Sequence, residues 1–166
     1  MPFHRLDCSR LGDLGFGFGR CNALESTQHG PIRVLIVDGD PLVCRALVRL
    51  LQDAPGVEVV ATATDASVTL ELAEQFQPAV ALLDAGTARL DGMTLTRSLR
   101  QQAPATRVVM LSVYATMRDP SLAVGACRFL LKDCGRDELL AAIRLAARGR
   151  CQSSGEARVD QGEDRR

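Results

Sequence analysis

Short apolar runs alternate with amphipathic stretches from residue 32 to residue 148. The runs at 32–37, 57–62, 79–83, 107–111 and 127–131 are of strand length and mostly apolar, as strands buried on both faces of a parallel sheet are. Residues 42–52, 66–76, 92–101, 116–124 and 138–148 place apolar side chains at a helical period, the fourth stretch only weakly. This alternation predicts an α/β domain: a doubly wound, five-stranded parallel sheet flanked by five helices through right-handed crossovers. Punctuation agrees. Pro41 suits a first helical position, Pro78 and Pro104 fall in connections, and Gly149 suits a helix C-cap.

The ends of the chain lack this pattern. Residues 1–30, with LGDLGFGFGR at their centre, are glycine-rich and aperiodic and read as a flexible extension. No strand precedes those glycines and no helix pattern follows, so they do not make a phosphate-cradling loop. Residues 150–166 are polar and aperiodic and read as a disordered tail. The domain expected between them is 31–149.

Composition narrows the picture. A chain of 166 residues, 46% hydrophobic, suffices for one good core. Twenty basic and twenty acidic residues cancel, which gives no electrostatic reason to expect nucleic-acid or anionic-membrane binding. The apolar runs are too short to span a membrane and the N-terminus has no apolar signal region, so the default location is cytoplasmic. Six cysteines include no C-x-x-C pair and no histidine at zinc spacing, which predicts free, reduced thiols.

In an open α/β sheet, ligands bind outside the carboxyl ends of the strands. Those ends carry Asp38 and Asp40, Asp84, Ser112 and Lys132. Acids, a hydroxyl and an amine converging on one edge suit an oxyanion held through a divalent cation.

With these residues in place, the chain resembles the receiver domains of bacterial two-component response regulators, of CheY-like (flavodoxin-like) fold, and in particular those of the NarL type. The likeness runs through IRVLIVDGDPLV, DASVTLELAEQFQPAVALLD, GACRFLLKD and ELLAAIRLAARG. It implies that Asp84 accepts a phosphoryl group from the phosphohistidine of a histidine kinase. It further implies Mg2+ held by Asp38, Asp84 and the Gly86 backbone carbonyl, phosphate contacts from Ser112 and Lys132, and Phe129 as the switch aromatic. Such a domain is a self-catalysing phosphoacceptor, not otherwise an enzyme. Its output runs to a protein partner or a homodimer through the face of the last two helices. NarL-type regulators carry a DNA-binding helix-turn-helix after the receiver; only seventeen polar residues follow Gly149 here, so direct DNA binding is not expected.

The sequence departs from the family pattern at three points. Gly39 stands where the family has a second acid, which weakens magnesium binding. Asp40, just before Pro41, reads as the N-cap of the next helix, its carboxylate accepting from an N–H near Val43 or Cys44, with metal ligation the less favoured alternative. Thr87 and Ala88 replace a Met-Pro pair in the loop after Asp84. Two other readings stay open: a pseudo-receiver that binds partners without phosphorylation, and a haloacid-dehalogenase-like phosphatase using Asp38-Gly39-Asp40. The second lacks a later acidic pair and a cap domain.

Overall fold

A computed structural model describes residues 30–86 and 91–152. The glycine-rich extension up to residue 29, the loop positions Thr87 and Ala88, and the tail beyond residue 152 lie outside the described residues. The order of elements is β1 (Ile32–Val37), α1 (Pro41–Leu51), β2 (Val57–Ala63), α2 (Ala66–Phe76), β3 (Val80–Asp84), α3 (Gly92–Gln102), β4 (Arg107–Ser112), α4 (Arg118–Ala123), β5 (Arg128–Leu131) and α5 (Arg136–Ala147). All strands pair in parallel, in the order β2-β1-β3-β4-β5.

Side chains of β1 alternate between two cores, as the period of a strand requires. Val34 and Ile36 join Leu82, Val109, Leu139 and Ile143 under α1 and α5. Leu35 and Val37 join Leu83, Met110, Leu95 and Leu99 under α2, α3 and α4. A sheet covered on both faces needs strands that are apolar throughout, and β3 is buried along its whole length.

Three helices start on an aspartate. Asp40 Oδ1 accepts from Leu42 N–H (2.8 Å), Asp65 Oδ1 from Val68 N–H (2.9 Å), and Asp91 Oδ1 from Met93 and Thr94 N–H (3.0 and 3.1 Å). Each satisfies donors that a helix start leaves without a partner. The Thr94 hydroxyl, then the Thr94 and Met93 N–H groups, hold the Asp91 carboxyl below its ordinary pKa. A lowered pKa stabilises the fold above the unfolded value, 3.8, and that contribution is lost as pH falls below it. Asp91→Ala is therefore expected to cost about 1 kcal/mol in urea unfolding at neutral pH. The difference should shrink when the titration is repeated near pH ~3.

The fourth helical stretch differs from expectation. In place of one helix over 116–124, a short 3-10 turn (Ala115–Met117) leads into the six-residue α4. Pro120 sits inside this segment and lacks an N–H, so no longer regular ladder forms. At the end of α5, Gly149 adopts φ +70° and its N–H donates to the Ala146 carbonyl (2.8 Å), as its C-cap position predicts.

Two expectations about the cysteines and the tail are corrected. Cys127 and Cys151 form a disulfide, their Cα atoms 4.4 Å apart, whereas Cys44 and Cys134 are free. Their separation of 24 residues matches no sequence motif; the turn at Gly149 brings the chain back beside the start of β5. The first residues of the predicted disordered tail, 150–152, are consequently held against that strand.

Candidate functional site

The strand order reverses at β1: the chain runs outward to β2 and then returns to β3 on the other side. A reversal opens a crevice between the carboxyl ends of the two central strands. Asp38 follows β1 and Asp84 ends β3, so the two acids flank that crevice. β4 and β5 extend the sheet beside β3 and bring Ser112 and Lys132 to the same edge.

Lys132 ties the acids together. Its Nζ lies 2.6 Å from Asp38 Oδ2 and 2.8 Å from Asp84 Oδ1. The Asp38 and Asp84 side chains are 2% and 5% exposed, that of Lys132 21%. Burial by itself would lower the Lys132 pKa, but the hydrogen bonds and charges of Asp38 and Asp84 outweigh it and hold the ammonium above its ordinary value. Two buried carboxylates thus share one cation.

The carboxylate oxygens are not equivalent. Asp38 Oδ1 accepts from the Asp40 N–H (2.9 Å), and Asp38 Oδ2 and Asp84 Oδ1 take the Lys132 ammonium. Asp84 Oδ2 is buried without a hydrogen-bond partner. A buried, unpartnered anionic oxygen is costly and calls for an electrophile, a cation or a donor. Among the described residues, no cluster of three or more His, Cys, Asp or Glu side chains is placed to hold a metal. Gly39, between Asp38 and Asp40, has no side chain to offer a ligand at this edge.

Ser112, also buried, accepts from the Tyr114 N–H (3.1 Å), so its hydroxyl anchors the loop after β4. Tyr114 and Val113 in that loop are exposed. Gly86, exposed, stands two residues past Asp84. Asp40 lies outside the cluster as the α1 N-cap, with Leu42 N–H as donor in place of the expected Val43 or Cys44. An Asp-x-Asp nucleophile pair is thereby left with one acid in the crevice and one on the surface. Phe129 is 5% exposed, packed in the core beneath α2, α3 and α4.

Two supporting residues are not among the site residues the sequence predicts, although Gly92 stands in the retained Asp-Gly turn. Cys44 Sγ lies 3.5 Å from the Asp38 carbonyl and 3.7 Å from that of Ala63, steadying the turn after β1 from inside α1. Burial pushes its thiol pKa up and keeps it neutral. Gly92, at the start of α3, passes so close to the end of β3 that a Cβ there would overlap the Asp84 backbone oxygen. Gly92→Ala is expected to cost about 1–3 kcal/mol by forcing these backbones apart. A thermal melt together with the Asp84 amide shift checks this; an unshifted amide in an equally stable variant would contradict it.

Comparison with known proteins agrees with this geometry. The response regulator receiver domain family matches residues 34–144. The transcriptional regulatory protein MctR of Rhizobium johnstonii is 37% identical over 125 residues, 74% of this chain and 58% of that protein. A protein-glutamate methylesterase/protein-glutamine glutaminase of Symbiobacterium thermophilum is 39% identical over 132 residues, 70% of this chain and 36% of that protein. The signal receiver domain of NarL from Mycobacterium tuberculosis superposes with a TM-score of 0.68 at 35% identity, over 74% of this chain and all of that domain. The chain spans just over half the length of the regulator it matches in Rhizobium and about a third of the methylesterase. With its parallel sheet, its crevice at the β1/β3 reversal and its Asp–Lys–Asp cluster, the chain belongs to the response regulator receiver domain family.

Proposed function

We propose that this chain is a phosphorylatable receiver of a two-component phosphorelay, with Asp84 as the phosphoacceptor. The observation that carries the reading is Asp84 Oδ2: buried at the crevice, free of partners, and 5% exposed as a side chain beside a fully engaged Asp38. This oxygen attacks phosphorus as the P–N bond of a kinase phosphohistidine breaks, the imidazole nitrogen leaving with the electron pair. Lys132 neutralises charge on the transferred group, and the Ser112 hydroxyl, at the end of β4 beside β3, would turn from the Tyr114 N–H toward its oxygens. The donor set suits a hard divalent cation: Asp38, Asp84 and the Gly86 carbonyl would hold Mg2+, more weakly than three acids would. Bound there, the ion would polarise the phosphoryl oxygens.

Output passes to a downstream protein or a second copy through the face formed by α4, β5 and α5, and not to DNA, in keeping with a net charge of zero. No helix among the described residues is long and apolar enough to cross a membrane. A cytoplasmic location follows as part of this proposal.

A second reading, the phosphate-blind pseudo-receiver, rests on Lys132. Its bridge between Asp38 and Asp84 already supplies the charge that a cation would bring, and Gly39 removes a ligand. Incubation with acetyl phosphate and Mg2+, followed by intact mass, separates the two. An Asp84-dependent gain of one phosphoryl group supports the receiver. A folded protein that gains none at high magnesium sinks it in favour of the pseudo-receiver.

A further inference from the structure

Among the described residues β5 is an edge of the sheet: β4 pairs with one side of it and no strand with the other. An edge strand presents outward C=O and N–H groups that another chain can pair with. Here two of those groups, at the start of the strand, are occupied. The Cys127 carbonyl accepts from the Gln152 N–H (2.8 Å), and the Phe129 N–H donates to Gln152 Oε1 (2.9 Å). Arg128 Nη1 adds a bond to the Arg150 carbonyl (2.9 Å). Gln152 thus answers, with its own backbone and side chain, two of the outward groups that an added strand would use.

Three hydrogen bonds at a surface compete with water and hold a segment weakly. What fixes this one is the covalent bond between Cys127 and Cys151. The two cysteines differ in access, for Cys127 is buried and Cys151 exposed. The same segment walls one end of an open groove of about 1250 Å3 that runs between Arg118 of α4 and Glu138 and Leu145 of α5.

We propose that Cys127 and Cys151 form a reversible thiol–disulfide site that latches residues 150–152 over the free edge of β5. Oxidation closes this edge to an added strand; reduction opens it. In the opening step a thiolate of a dithiol reductant attacks Cys151 Sγ, on the exposed residue of the pair. The S–S bond breaks and Cys127 Sγ departs with the electron pair and takes up a proton. The second thiol of the reductant then displaces Cys151, so the protein gains two thiols and the reductant becomes a disulfide. Closure is the reverse exchange, driven by a small-molecule disulfide oxidant of the glutathione type. A disulfide in a reducing compartment is most often transient and regulatory. The latch acts on β5 directly and does not depend on phosphorylation of Asp84.

The test uses the full chain equilibrated with oxidised glutathione or with dithiothreitol. Non-reducing peptide mapping reports the Cys127–Cys151 link, and amide exchange followed by NMR reports the Phe129 N–H. The expected result is a link that forms with the oxidant and vanishes with the reductant, with Phe129 exchange at least roughly tenfold faster in the reduced chain. Cys151→Ser should exchange as the reduced chain does under both conditions. Gln152→Ala should keep the link yet lose most of the Phe129 protection. The proposal is overturned if the oxidant never links these two cysteines, or if Phe129 exchanges at one rate in oxidised, reduced and Cys151→Ser protein.

Discussion

Asp84→Ala is expected to abolish phosphoryl uptake from acetyl phosphate while leaving the fold as stable as before, to within about 1 kcal/mol. No other oxygen in the crevice can stand in. Both oxygens of Asp38 are engaged, one by the Asp40 N–H and the other by Lys132, and Asp40 is spent on capping α1. Stability holds because two buried carboxylates share one ammonium. Removing one lifts their mutual repulsion and leaves Lys132 and Asp38, 2.6 Å apart, as a balanced pair. The lost Lys132–Asp84 hydrogen bond and a small void offset that relief. Intact mass and a urea midpoint on the same sample check both halves, and uptake surviving in Asp84→Ala would remove the residue from its role.

Lys132→Met reverses the pattern. It keeps the length of the stem but leaves Asp38 and Asp84 buried, adjacent and without a cation. Breaking a buried pair by removing one partner costs about 3–5 kcal/mol, and the partial exposure of Lys132 puts this case near the lower figure. Uptake should also fall by orders of magnitude, since charge on the transferred group is no longer met. Alkaline unfolding gives an independent signature. The Lys132 pKa is raised above its ordinary 10.5 by folding, so its stabilisation is complete below that pH and is lost as pH climbs through the folded value. The parent should show that alkaline loss and Lys132→Met should lack it. Combining Lys132→Met with Asp84→Ala should recover part of the lost stability, because only one uncompensated acid then remains.

Much of this architecture is legible in the sequence alone. The bounds of β1 and α2 match their apolar patterns to the residue, because a doubly buried strand and a helix opened by an Asp cap have unambiguous periods. Asp38 and Asp84 could be placed together because the strand reversal puts their strand ends side by side. The fourth helix was blurred, since Pro120 and a 3-10 turn leave no clean period. The disulfide was invisible: cysteines 24 residues apart carry no spacing signal, and only the backbone reversal at Gly149 makes them neighbours. Lys132 was legible as a phosphate contact but not as a bridge between both acids. That role depends on its Nζ reaching across β4 and β3, a distance that no linear pattern contains.

The bond from Lys132 to Asp38 joins residues 94 apart in the chain. Both acids leave the ribosome well before the lysine that neutralises them, and the four strands already made can pair only around an uncompensated cluster. Contacts between distant residues form late, after the entropy of closing long loops has been met. On that ground the crevice is expected to assemble late in folding, when β5 docks beside β4, with a φ-value near zero for Lys132→Met as the check. A chain cut short ahead of β5 retains its acids yet lacks the charge that holds them together, and this makes the bridge a built-in check that the domain has been completed.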